Sequence, residues 1–130
     1  MPPTNVPILA RVTGSYLQPL LEAAAARGVH AQRLAQAIGL PEGALDTLPE
    51  SLAAGDYIAL LAAGAELAGD PHFGLHVGER VRLGTYSVYG LILLACADFA
   101  QALEQTQRYE QLAHDLGRSR LEVDLAANLA

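Results

Sequence analysis

The chain has 130 residues, with no lysine, no tryptophan and a single cysteine, Cys96. Without lysine, eight arginines are its only permanently cationic side chains, set against 14 acidic residues and a formal net charge of −6. A polyanionic nucleic-acid backbone repels such a surface unless the arginines cluster. They do not: Arg11, Arg27, Arg33, Arg80, Arg82, Arg108, Arg118 and Arg120 are scattered in ones and twos. Direct contact with DNA is therefore not expected of this segment. One cysteine forbids an internal disulfide and agrees with a reducing compartment. No apolar run exceeds seven residues, as from Leu91 to Ala97, whereas a membrane-spanning helix needs about 20. The opening MPPTNVPILARV lacks the basic start and long apolar core of a signal peptide. The expectation is a cytoplasmic location with no membrane partner.

Catalytic hardware is equally scarce. Ser15, Ser51, Ser87 and Ser119 have no nucleophile-elbow context, and no glycine-rich phosphate loop is present. Cys96 lies in a strongly apolar segment, where a thiol is ordinarily inert packing. Carboxylates such as Glu42 and Asp46 fall in expected turns and caps. His72 and His76 stand four apart, as metal-binding pairs on a helix do, but no third ligand has a convincing spacing. The expectation is no enzyme, no cofactor and no metal. Residues 33–40 resemble the first helix and turn of a helix-turn-helix. The segment that would follow as the reading helix, 41–46, is short, acidic and interrupted by Gly43, and it lacks the Arg, Lys, Asn or Gln that base edges and phosphates demand. A structural helical corner is the better reading.

The chain is rich instead in helix punctuation. Ser15 and Gln18 can form a capping box, Pro19 belongs in the first turn of the same helix, and Gly28 can stop it in a left-handed conformation. Leu17, Leu20, Leu21 and Ala24 make its apolar stripe. A second helix is expected over 31–38, ending at Gly39, followed by a turn over 41–45 and a loop over 46–50. Residues 52–68 form the cleanest 3.6-residue period, with Tyr57, Leu60, Leu61, Gly64 and Leu67 on one face. Gly64 costs roughly 1 kcal/mol relative to alanine unless another helix approaches closely there. Asp70 can accept from the free N–H groups of a starting helix, with Pro71 suited to its first position. Gly84 and Thr85 offer a stop and a new cap before a helix over 86–97. Asp98 and Gln101 form a second capping-box pattern, opening a helix expected to run from 99 to 116.

After Gly117 the period changes to two: Leu121, Val123 and Leu125 alternate with Arg120, Glu122 and Asp124, as in a half-buried strand. Nothing else reads as a good second strand, and a lone strand leaves an exposed edge. The fold class expected is mainly α, a compact multi-helix domain with a C-terminal β-strand, the truncated α-rich part of an α+β domain. Residues 1–14 form an N-terminal extension, 15–117 the helical domain and 118–130 the strand of an incomplete β-containing part.

Five tyrosines stand beside only two phenylalanines. Tyr86, Tyr89, Arg108, Tyr109 and His114 all fall in the last two expected helices. Tyrosine suits a small-molecule pocket because its ring packs while its hydroxyl fixes orientation. These five are the candidate effector-binding residues; the bland alternative is that the tyrosines straddle the edge of a helix core.

The order of these signals resembles the N-terminal, effector-sensing domain of one branch of the AraC-type transcription regulators. The resemblance rests on Gly69-Asp70-Pro71, Phe73-Gly74-Leu75, Gly84, Gly90, Ala102-Leu103 and Arg108-Tyr109, with Tyr16-Leu17, Gly28 and Ile38-Gly39-Leu40 upstream. It covers nearly the whole chain, and its specificity lies in the ordered set. Ser87 stands where the family often has a further glycine, and Ala95-Cys96-Ala97-Asp98 replaces a common Ser-Ser-Pro-Thr turn. The resemblance implies a domain that binds a small-molecule effector or forms a homodimer. It would thereby control a C-terminal helix-turn-helix unit, through which alone DNA is contacted. No sugar-site pattern is visible, so arabinose does not carry over. The alternative is a stand-alone helical protein-interaction module, packing on a partner through the alanine-rich segments 23–26 and 62–65.

Overall fold

The computed structural model describes residues 10–82, 85, 88–118, 120 and 122. Its architecture is mainly helical, with a small two-stranded antiparallel sheet. Helix α1 (Leu17–Ala25) follows a 3-10 turn at Gly14–Tyr16. The capping box expected there does not form. Ser15 Oγ instead donates to the carbonyl oxygen of Thr85 at 2.5 Å, while Gln18 bonds Glu22 one turn on. Pro19 does sit in the first turn, where its missing N–H leaves no intrahelical acceptor unsatisfied. Gly28 ends the helical stretch with φ +78, its N–H on the Ala25 carbonyl and that of Val29 on Ala24. A side chain is strained in that conformation, which is why glycine stands there. Helix α2 (Ala31–Ala37) stops just before Gly39, as expected. Residues 41–50, including the segment that would have been a reading helix, are turns and irregular structure.

The strands are where the structure departs from expectation. β1 (Arg11–Thr13) lies before α1, and β2 (Ser51–Ala53) occupies the residues expected to open helix α3 (Ala54–Ala68). They pair with Arg11 opposite Ala53, Val12 opposite Leu52 and Thr13 opposite Ser51. Three residues are too few for alternation to register in a sequence. Leu121, Val123 and Leu125, which carried the expected C-terminal strand, lie outside the described residues.

Helices α4 (Phe73–Glu79), α5 (Val88–Leu94) and α6 (Phe99–Tyr109) complete the domain. Of the helix expected over 86–97, Tyr86 and Ser87 also lie outside the described residues. The capping pattern at α6 is real: Asp98 Oδ1 accepts the Gln101 N–H at 2.8 Å, and Gln101 Oε1 accepts from Ala97 at 2.7 Å. That helix ends earlier than its apolar period suggested, giving way to a 3-10 turn at Glu110–Leu112. Strand β1 claims the backbone beyond it. The Thr13 N–H donates to Ala113 O at 2.8 Å and the Asp115 N–H to Arg11 O at 2.9 Å, with Val12 bridged to His114.

The core gathers Val12 from β1, Leu17 and Leu20 from α1, Leu34 from α2, Leu60 from α3 and Phe73 from α4, each almost wholly removed from water. Gly64 lies against the Phe73 ring, and a β-carbon there would come within 2.3 Å of Cε2. The close approach expected at this glycine is therefore made by an aromatic ring of α4. Gly64→Ala is expected to destabilise the domain by about 1–3 kcal/mol through overpacking, despite a helix-propensity gain of roughly 1 kcal/mol. Adding Phe73→Leu should recover part of that loss in a urea double-mutant cycle.

Candidate functional site

The Asp70 turn, prominent in the sequence, builds an ionic clasp. The chain reverses at Gly69, and Asp70 Oδ1 accepts the His72 N–H at 3.0 Å, satisfying a donor at the entry to α4. Oδ2 contacts His76 Nδ1 at 2.6 Å and Arg27 Nε at 3.0 Å. Arg27 Nη2 also lies 2.9 Å from that imidazole nitrogen, which can donate to Asp70 or accept from Arg27 but not both at once. Burial raises the Asp70 pKa, but the His76 hydrogen bond, the His72 N–H and the Arg27 charge outweigh it and hold the carboxyl below its ordinary value. Asp70 is buried while Arg27 and His76 are part-exposed, so the clasp pins the end of α1 to the start of α4. His76 Nδ1 is thus occupied by the Asp70–Arg27 pair, and no group of three metal-ligating side chains gathers among the described residues.

Concave space lies beside the sheet. One cleft of about 250 Å³ is walled by Leu17, Leu40, Ala44, Leu45, Pro49 and Leu52, with Arg11, Ser51, Ala53 and Asp56 at its polar side. Alternation explains the division. Val12 and Leu52 point into the core, so Arg11, Ser51 and Ala53 must share the opposite face. Ser51 Oγ accepts from Arg11 Nε at 3.1 Å and from Nη2 at 2.9 Å, which orients the guanidinium. Asp56 is half-buried in the first turn of α3. A smaller cleft of about 150 Å³ lies across the same two residues, lined by Thr13, Gln111, Leu112, Ala113, His114 and Asp115 as well as Arg11, Val12 and Ser51.

Of the five residues singled out in the sequence, the side chains of Arg108, Tyr109 and His114 are described, and among these three His114 lines one of these clefts. Its ring stands 6.0 Å from that of Tyr16, and Nδ1 accepts the Leu116 N–H at 3.1 Å. Burial, helped by the Arg118 charge, pushes its pKa down against the opposing influence of Glu110 and Asp115. Beside it, the hydrogen bond from the Arg11 N–H holds the Asp115 carboxyl below its ordinary value against the effect of burial, helped by Arg118. Arg108 is exposed on α6, Tyr109 is half-buried against the core, Tyr89 lies in α5, and Tyr86 is outside the described residues. Arg11, Ser51 and Asp56 were missed. A lone arginine near the N-terminus and an acidic residue opening a helix carry no signal until the fold brings them together.

Residues 28–129 match the family model of the arabinose-binding domain of AraC transcription regulators, N-terminal. The chain is also similar to the ornithine utilization regulator of Pseudomonas aeruginosa, at 28% identity over 105 residues. That alignment covers 78% of the chain and 31% of the relative, so the chain spans about a third of that protein's length. No solved structure matches the chain. Among the described residues no helix is long and apolar enough to cross a membrane.

The clasp makes a pH prediction. Because the folded pKa of Asp70 is depressed, its contribution is present above the unfolded-chain value near 3.8 and is lost as pH falls through the lower folded value. Asp70→Asn should therefore be less stable near neutrality. It should also lose less further stability than the native chain as pH falls from about 6 to about 3. Urea midpoints measured across that range check this; equal slopes for the two proteins would contradict it.

Proposed function

Because the chain belongs to the family of N-terminal arabinose-binding domains of AraC transcription regulators, we propose that it is the ligand-sensing part of such a regulator. In this reading a small-molecule effector enters the larger cleft and biases a C-terminal helix-turn-helix unit, which makes the DNA contacts. The observation that carries the reading is the joint use of β1. Its Arg11 side chain lines the cleft, while its backbone holds residues 113–115, which follow the last helical turn. An effector that draws residues 40–49 against Arg11 and Ser51 therefore acts on the strand that anchors residues 113–115. Such coupling requires a ligand that prefers one arrangement; one that binds both equally shifts nothing. Relatedness to an ornithine utilization regulator supports a metabolite as the effector class.

The reading is tested by thermal unfolding of the 130-residue chain against a metabolite panel. A true effector at 100 times its Kd stabilises by about 2.7 kcal/mol. Ala44→Phe, which fills the cleft, should abolish that shift. A stabilising metabolite indifferent to Ala44→Phe but lost in Tyr86→Phe, Tyr89→Phe or Tyr109→Phe would move the effector to α5 and α6.

A second reading, self-association, is favoured by the outer surface of the α5–α6 hairpin. Leu91 is 66% exposed, Leu94 65% and Phe99 77%, and α6 buries none of its residues. Apolar area of this kind on a small domain marks a contact surface. By contrast Ala23 and Ala24 are buried within the domain's own core, so that part of the alanine-rich surface is unavailable to a partner. Phe99→Glu should shift a concentration-dependent dimer to monomer in sedimentation equilibrium. An unchanged mass distribution would remove this surface from consideration.

A further inference from the structure

We propose that the larger cleft takes a zwitterionic α-amino acid with an aliphatic side chain, its carboxylate held by Arg11 and its ammonium by Asp56; this rests on the cleft being the effector site. Two formal charges of opposite sign line the same small cleft, and no ion pair joins them. A guanidinium has five N–H donors, of which the Ser51 hydroxyl engages two. The others can still address a carboxylate, and Ser51 holds the group in place for a bidentate contact. Among the described residues none donates a hydrogen bond to the Asp56 carboxylate, whose oxygens can take an ammonium.

The remaining walls, Leu17, Leu40, Leu45 and Leu52, match an aliphatic side chain. Size points the same way. The volume of about 250 Å³ falls just below the roughly 300–1,000 Å³ of small-molecule pockets, which suits a ligand as small as an amino acid. Charge then supplies selectivity. A simple carboxylic acid would forgo the Asp56 contact, and a simple amine would forgo the Arg11 contact. Two such contacts made together favour a ligand that carries both charges over one that carries only one.

The test is an amide-NMR titration of the full 130-residue chain with L-leucine, L-norvaline and L-methionine, alongside 4-methylpentanoate and 3-methylbutylamine. At least one amino acid should shift the amides of residues 40–45 and 51–56. The acid and the amine should bind at least about tenfold more weakly, equivalent to about 1.4 kcal/mol. Asp56→Asn should bring the amino acid down to the level of 4-methylpentanoate, and Arg11→Gln to that of 3-methylbutylamine. Circular dichroism verifies that each variant folds, and Asp56→Asn alone suffices if Arg11→Gln does not. Equal binding of 4-methylpentanoate and L-leucine would overturn the amino-acid assignment and leave the cleft as the effector site. Shifts confined to other residues, or none with any of the three amino acids, would overturn the assignment, while the Ala44→Phe thermal shift separately decides whether the cleft is used at all.

Discussion

The larger cleft and the segment that follows the last helical turn are both tied to the hydrogen bonds of one three-residue strand. The backbone of β1 pairs with β2 on one edge and with residues 113–115 on the other, and Val12 between them is wholly buried. A buried backbone group without a partner costs about as much as a lost hydrogen bond or more. The strand can therefore enter the core only if both edges are occupied. That requirement draws together segments separated by 40 and by about 100 residues. It ends the last helix early and turns the side chains of Arg11 and Ser51 to the face where the clefts lie.

The helices supply the frame against which this strand is held. Phe73 reaches across to Gly64 and joins α4 to α3, and the Asp70 clasp joins the same short helix to the end of α1. The two contacts differ in kind. Packing at Gly64 is indifferent to pH, whereas the clasp depends on an ionised carboxylate surrounded by donors. Neither contact involves a residue that lines the larger cleft.

Membership of the AraC-type sensing family gives these features a common purpose. One strand borders both the larger cleft and the segment that follows the last helical turn. The charge distribution is consistent with that division of labour. A chain of net charge −6 without lysine has little to offer a phosphate backbone, so its scattered arginines are available for internal tasks. Arg27 closes the clasp, Arg11 faces the cleft, and Arg80 and Arg82 both approach Glu22 on α1.

Local chemistry wrote the helix limits into the sequence. The stop at Gly28, the end of α2 before Gly39 and the cap at Asp98 depend on residues within one turn of each other, and they were legible without a structure. The family resemblance was legible for the same reason, being an ordered set of such local signals. The strands were not, because three residues carry no period and their stability comes from partners far along the chain. The same holds for the site. Tyr86, Tyr89, Arg108, Tyr109 and His114 stood out by chemical type, and of the three whose side chains are described His114 lines a cleft. Arg11 and Asp56 acquire meaning only when Arg11 pairs with Ala53, setting a guanidinium beside the first turn of α3. Helix boundaries are decided over a few residues, whereas the juxtaposition of charges across a cleft is decided by backbone pairing over the length of the domain.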